Sequence, residues 1–153
     1  MSDILLFFLT GIPEMMGITA LALALARVPL RWKLITCIGT ALALIIYPIR
    51  LLPFTFGVHI IVGMVVLVFI LLRVTYLRPS KCFVMVFISY ITLASCELVI
   101  HESFLAVTNM SVDEVMSNAA LWAALGMVQA VLINLIAIIT SKLIKPDNEV
   151  WKI

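Results

Sequence analysis

The chain has 153 residues, of which 65% are hydrophobic and 12% charged, and its net charge is +2. Soluble domains contain about 45–50% apolar residues, so this composition excludes an ordinary soluble domain and predicts a protein embedded in a bilayer. Backbone groups in lipid need internal hydrogen-bond partners, and the alternating pattern of a membrane barrel is absent from the sequence. We therefore predict an all-α, polytopic integral membrane protein.

Five apolar segments follow one another along the chain, at residues 4–26, 34–52, 58–72, 83–107 and 119–143. Each is close to the roughly 20 residues that cross a hydrocarbon core about 30 Å thick. Prolines support the boundaries, because Pro29, Pro53, Pro79 and Pro146 lie at or just beyond four helix ends. The sequence predicts a single transmembrane bundle of five helices that uses residues 1–153.

The basic residues are concentrated in alternate connections. Nine of the ten Lys and Arg residues follow the first, third or fifth segment, and only Arg50 lies on the other side. Cytoplasmic loops are enriched in Lys and Arg, so the pattern predicts an outside N-terminus and a cytoplasmic C-terminus. The basic residues are thereby explained as topology signals, and we expect no nucleic-acid partner.

Other classes of protein find little support in the sequence. Cys37, Cys82 and Cys96 show no CxxC spacing, which argues against a disulfide or zinc framework. The chain has no HExxH motif, no GxSxG motif and no glycine-rich phosphate loop. We expect neither an enzyme nor a bound cofactor or metal.

Ionisable residues within apolar segments point to a site. At about 1.5 Å per residue, Arg50, Glu97 and His101 lie about 24–30 Å from the cytoplasmic ends of their helices. His59 lies just past the second outer connection, and Glu14 follows Pro13, where we expect a helix kink. Charges inside a bilayer are rare and often functional, so an outward-facing polar pocket is predicted. Its members are Glu14, Arg50, His59, Glu97 and His101.

Helical spacing supports part of this pocket, because Tyr90, Ala94, Glu97 and His101 recur at i, i+4, i+7 and i+11. Arg50 is the natural counter-ion for a carboxylate in this layer. Alternatively, the polar groups pair with one another and only hold the helices together. Metal binding by the carboxylates and histidines is chemically feasible, but their spacing matches no known metal motif.

Two short motifs carry a resemblance to a known family: TGIPE at residues 10–14 and IRLLPFTFGVH at residues 49–59. They resemble the multi-helix membrane region that precedes the kinase domain in Gram-positive sensor histidine kinases of the peptide-pheromone-receptor type. The resemblance implies a bacterial cytoplasmic membrane protein that reads an external signal and passes it to the cytoplasmic side. The chain contains no phosphoacceptor or ATPase region, so a kinase or response protein is expected as a separate partner.

The sequence thus favours a signal-sensing or regulatory membrane module, which could also form homo-oligomers. A small oligomeric carrier that uses Glu14 and Glu97 as proton or cation sites is the alternative. A structural subunit of a membrane complex is the third interpretation.

The predicted orientation can be tested by labelling introduced cysteines from outside intact cells, in a variant without the three native cysteines. We expect an impermeant maleimide to modify Ser111→Cys and Thr55→Cys, but not Ser80→Cys or Asn148→Cys. Labelling of Ser80→Cys and Asn148→Cys alone would show that the orientation is opposite to the predicted one.

Overall fold

A computed structural model describes residues 2–51, 57–146 and 150–152, without the side chains of residues 2, 3, 50 and 51. The described part contains six helices. They are α1 (Ser2–Leu25), α2 (Trp32–Leu51), α3 (Val58–Val74), α4 (Pro79–Thr108), α5 (Val112–Ser117) and α6 (Ala119–Leu143). The all-α prediction is confirmed, since the only extended pairing among these residues is one bridge between Thr75 and Trp151.

Four helices, α1, α2, α4 and α6, are long and apolar enough to cross a membrane, which indicates a multi-pass membrane protein. Helix α3 is apolar but has 17 residues. Helix α4 begins at Pro79 rather than near residue 83, because proline is well tolerated in the first turn of a helix. Residues 52–56, in the connection between α2 and α3, lie outside the described residues.

Close backbone approaches set the order of packing around α1. A Cβ atom added at Gly17 would come within 2.3 Å of Ile133 in α6, and one added at Gly39 within 2.7 Å of Met16. Small residues at such crossings let helices pack by van der Waals contact, which drives association in lipid. Helix α1 therefore lies between α2 and α6, parallel to α6 and antiparallel to α2.

Helices α3 and α4 form an antiparallel pair against this core. The Sγ atom of Cys82 lies 3.7 Å from the carbonyl oxygen of Val68. Nearer the other end, a Cβ at Gly63 would lie 2.6 Å from the hydroxyl of Tyr90. A larger side chain at Gly63 would collide with the Tyr90 hydroxyl unless one of the two shifts.

One end of the bundle, which we call the basic end, is where α1, α3 and α6 finish and α2 and α4 begin. The nine basic residues of the alternate connections belong to this end: Arg27, Arg31, Lys33, Arg73, Arg78, Lys81, Lys142, Lys145 and Lys152. The side chain of Lys81 donates to the carbonyl of Ala26 at 3.1 Å and so joins α4 to the end of α1.

Residues 150–152 close the basic end, and we call this segment the tail clasp. The amide of Tyr76 donates to the carbonyl of Val150 at 2.8 Å, and that of Lys152 donates to Val74 at 2.9 Å. The indole of Trp151 is buried and donates to the carbonyl of Pro29 at 3.0 Å. The tail clasp thus connects the end of α3 to the α1–α2 connection.

At the opposite end, the short helix α5 begins with a capping box. The hydroxyl of Ser111 accepts from the amide of Glu114, whose carboxylate accepts from the amide of Ser111 at 2.7 Å. These hydrogen bonds to its charged form lower the pKa of Glu114. The carboxylate half of the cap therefore weakens when acidification protonates Glu114, whereas the bond from the Glu114 amide to the Ser111 hydroxyl does not depend on this charge.

The tail clasp provides a stability test. We expect Trp151→Phe to lower the free energy of unfolding by about 1 kcal/mol, because it removes one hydrogen bond and keeps the ring. Trp151→Ala should lower it by about 3 kcal/mol, because the apolar contacts are also lost. Unfolding in mixed micelles measures both, and Trp32→Phe, at an exposed tryptophan, is the control. Equal stability of wild type and both Trp151 variants would contradict this role.

Candidate functional site

A cavity of about 190 Å³ lies in the half of the bundle away from the basic end. Its described walls come from α1, α2, α3, α4 and α6. The lining residues of a helix are three or four positions apart and so share one helical face. On α1 they include Phe7, Gly11 and Glu14, and on α6 they include Trp122, Gly126 and Gln129. One continuous site is therefore built from five separate helices.

Four of the five predicted site residues line this cavity: Glu14, His59, Glu97 and His101. Glu14, His59 and His101 are half-buried, whereas Glu97 is exposed at the surface of α4. Ile60 and Ala94 are also exposed lining residues, so the cavity opens beside α3 and α4. Glu102, which follows His101 on the helix, is exposed and does not line the cavity.

The fifth predicted residue, Arg50, belongs to the last turn of α2, and its side chain lies outside the described residues. The predicted ion pair between Arg50 and a carboxylate of the pocket therefore stays a prediction. Both Glu14 and His59 have interaction partners of their own.

His101 is held in a defined orientation by two contacts. Its Nδ1 atom lies 2.9 Å from the carbonyl oxygen of Glu97 in the preceding turn. Its ring lies against Trp122 of α6, with centroids 4.9 Å apart. The other ring nitrogen, Nε2, is buried and has no hydrogen-bond partner among the described residues. Helix α4 thus holds an unsatisfied polar atom beside the cavity.

Tyr90 contributes a second unsatisfied atom. Its side chain is 7% exposed, yet its hydroxyl has no hydrogen-bond partner in the described part of the chain. The sequence marks Tyr90 only as an aromatic residue near mid-membrane on the same face as Glu97. Buried hydroxyl groups are normally hydrogen-bonded, so Tyr90 leaves an unsatisfied polar group in the packing beside the cavity.

The sequence does not identify Trp122 and Phe7 as wall residues, because aromatic residues near a predicted helix end are equally typical of a membrane interface. The helical spacing of Trp122, Gly126 and Gln129 is the signal that identifies the α6 wall. Gln129, 5% exposed, provides a buried amide in that wall.

Asn134 positions α1 next to the site. Its amide donates to the carbonyl of Pro13 at 2.8 Å and to that of Ala130 in its own helix at 2.8 Å. Pro13, where the sequence predicts a kink, lies within the continuous helix α1. The bond from α6 thus fixes the backbone directly before Glu14 and sets where this carboxylate enters the cavity.

The ionisable side chains surround the cavity without converging. Among the described residues, no group of three His, Cys, Asp or Glu side chains is arranged to hold a metal ion. The volume of about 190 Å³ exceeds that of one ion. An engineered cavity of about 150 Å³ binds benzene, so the site has room for a small organic molecule with one ring.

No protein family, curated protein or solved structure matches this chain.

The bond between α6 and α1 can be tested by substitution. We expect Asn134→Leu, which keeps a similar shape, to lower the free energy of unfolding by about 0.6–2 kcal/mol, since an interhelical hydrogen bond is lost. Ser141→Ala is the control, because the Ser141 hydroxyl bonds within α6, to Ile138. A destabilisation no larger than that of Ser141→Ala would show that the interhelical bond contributes nothing measurable.

Proposed function

We propose that this protein is a signal-sensing module of the bacterial cytoplasmic membrane, in which a small molecule binds the cavity and changes the cytoplasmic end of the bundle. The single observation that carries the proposal is the cavity itself, which draws polar side chains from four helices into one site. A separate kinase or response protein would read the change. The short resemblance to sensor histidine kinases agrees with this role.

The orientation that we propose puts the basic end in the cytoplasm and the cavity toward the outside. Its support is the bias of Lys and Arg toward cytoplasmic loops, which nine of the ten basic residues follow. The cavity would then be accessible to extracellular or membrane-derived molecules.

We also propose that α3 is the fifth span. Its 17 residues extend about 25 Å at 1.5 Å per residue, and it leads from the cavity at His59 to the tail clasp at Val74. Ile61, Val65 and Phe69, four residues apart, are 59–64% exposed. Such an apolar stripe is unfavourable in water and is well suited to contact with lipid acyl chains.

Helices α3 and α4 offer a physical route from the cavity to the basic end. Both line the cavity, through His59 and Tyr90, and the connection between them holds the tail clasp at Tyr76. Because helices move as rigid elements, a ligand that separates them near Tyr90 would alter their spacing near Val74. The bundle would thus have two states, and the ligand would favour one.

The packing favours a sensor over the carrier that is the alternative function. On the side of the cavity toward the basic end, each contributing helix has an apolar residue with 0% exposure: Ile18, Leu42, Leu67, Val86 and Ile133. These fully buried apolar side chains lie between the cavity and the basic end. A carrier would need to open this layer in every transport cycle.

An experiment that needs no natural ligand can test this coupling. In a variant without native cysteines, Ala94→Cys modified with benzyl methanethiosulfonate places one ring in the cavity as a covalent substitute for a ligand. We expect the amide hydrogen exchange of Tyr76 and Lys152 to change by about tenfold, because the tail clasp is displaced. Exchange is measured by NMR on the full chain in nanodiscs.

Ser95→Cys is the matched control, since Ser95 is the next residue of α4 and is exposed outside the cavity. Modification there should leave both amides unchanged. Unaltered exchange after modification at position 94 would contradict the proposed coupling. Movement of a solute across the membrane of proteoliposomes, with or without an added ligand, would instead favour the carrier.

A further inference from the structure

We propose that the surface beneath the tail clasp is a docking site for an extended segment of a partner protein, and that the tail clasp is its exchangeable occupant. The segment that fits has a tryptophan followed directly by a basic residue. This inference does not rest on a ligand in the cavity. The proposed orientation adds only that the partner is cytoplasmic.

The backbone of the tail clasp is bound as an added strand. The carbonyl of Val150 accepts from the amide of Tyr76 at 2.8 Å, and the amide of Lys152 donates to the carbonyl of Val74 at 2.9 Å. The segment thus runs antiparallel to residues 74–76. Main-chain bonds of this kind supply affinity for an extended segment of any sequence, and the side chains of the segment supply specificity.

Two side chains of the tail clasp define this specificity. Trp151 pairs with the fully buried Thr75, and its indole donates to the carbonyl of Pro29 at 3.0 Å. A phenylalanine ring has no N–H to donate, so the site favours tryptophan. The Nζ atom of Lys152 donates to the carbonyl of Leu72, in the last turn of α3, at 2.7 Å. Carbonyl groups at a helix C-terminus carry partial negative charge and favour a cation.

The tail clasp can leave this surface without unravelling a helix. Its bonds join it to the α1–α2 connection, to the last turn of α3 and to the residues that follow α3, and none of them is internal to a helix. Only Trp151 of the three clasp residues is buried. The groups nearer the surface exchange their bonds for bonds to water on release, so this one side chain accounts for most of the cost.

A partner segment competes with an occupant that belongs to the same chain. The covalent connection gives the tail clasp a high effective concentration, so the site accepts another segment only in the small fraction of molecules whose clasp is open. The apparent dissociation constant is the intrinsic constant divided by that fraction. Weakening the tail clasp should therefore tighten binding of the partner segment, which a binding site elsewhere on the protein would not show.

The probe is a synthetic peptide with the sequence of residues 147–153 and a fluorophore at its N-terminus. Its binding to the full chain in nanodiscs is measured by fluorescence anisotropy, with empty nanodiscs as the reference for adsorption to lipid. We expect the peptide to bind the Trp151→Ala chain about a hundredfold more tightly than wild type, and the Trp151→Phe chain about fivefold more tightly. These factors are the expected increases in the fraction of open clasp.

Two controls identify the site. A peptide with alanine in place of its tryptophan should bind none of the chains. The Trp32→Phe chain, altered at an exposed tryptophan of the basic end, should bind the original peptide as wild type does. Bound peptide should also slow the hydrogen exchange of the Tyr76 amide in the Trp151→Ala chain, because the peptide backbone accepts from that amide.

The outcomes separate this inference from the proposed function. Equal affinity for wild type and both Trp151 variants would place the peptide elsewhere and overturn the inference. Absence of binding to both variants would overturn it as well, while the covalent test at position 94 continues to assess the sensor function. Trp151→Phe keeps an aromatic ring in the core, so the comparison with wild type stands even when Trp151→Ala does not fold.

Discussion

The structure depends on one constraint, which is that lipid offers no hydrogen bonds to polar groups within the helices. Serine and threonine hydroxyls meet it locally, as Thr19 does by donating to the carbonyl of Met15 at 2.8 Å in its own helix. Ionisable side chains are satisfied only in part in this way, as at Nδ1 of His101, and Glu14, His59 and His101 line a shared cavity. The cavity is thus the place where the bundle accommodates the groups that lipid would exclude.

The exclusion of ionisable groups from lipid does not by itself explain why polar atoms beside the cavity lack hydrogen-bond partners. A bundle held together by mutual polar pairing would leave few buried atoms unsatisfied. Here the hydroxyl of Tyr90 and the Nε2 atom of His101 are both buried and both without a partner among the described residues. The packing of the described residues thus leaves two polar atoms unsatisfied beside the cavity, and the proposed binding site is the space that adjoins them.

The proposed coupling depends on close packing between the helices that surround the cavity. The close approaches at Gly17, Gly39 and Gly63 leave little space between helices, so a displaced helix must carry its neighbour with it. Helix α3 takes part through Gly63 and presents Ile61, Val65 and Phe69 outward. Its end is held by the tail clasp.

Much of the fold could be predicted from the sequence, because long apolar segments and prolines locate helices without reference to tertiary contacts. The common face of Glu97 and His101 followed from helical spacing alone. The depth of Tyr90 and the wall formed by Trp122 could not be predicted, since both depend on which helices are neighbours. The tail clasp was equally hidden, because its bonds join Trp151 to Pro29 across 122 positions.

The central claim, an externally accessible cavity bounded by one face of α4, is tested most directly by a cysteine scan of residues 93–101. The reagent is the impermeant 2-(trimethylammonium)ethyl methanethiosulfonate, added outside cells that express a variant without native cysteines. The account predicts rapid modification at positions 94, 97 and 101, which line the cavity, and slow modification at positions 95, 98 and 99, which are exposed on the remaining surface of α4. Modification without this helical periodicity, or at none of these positions, would contradict it.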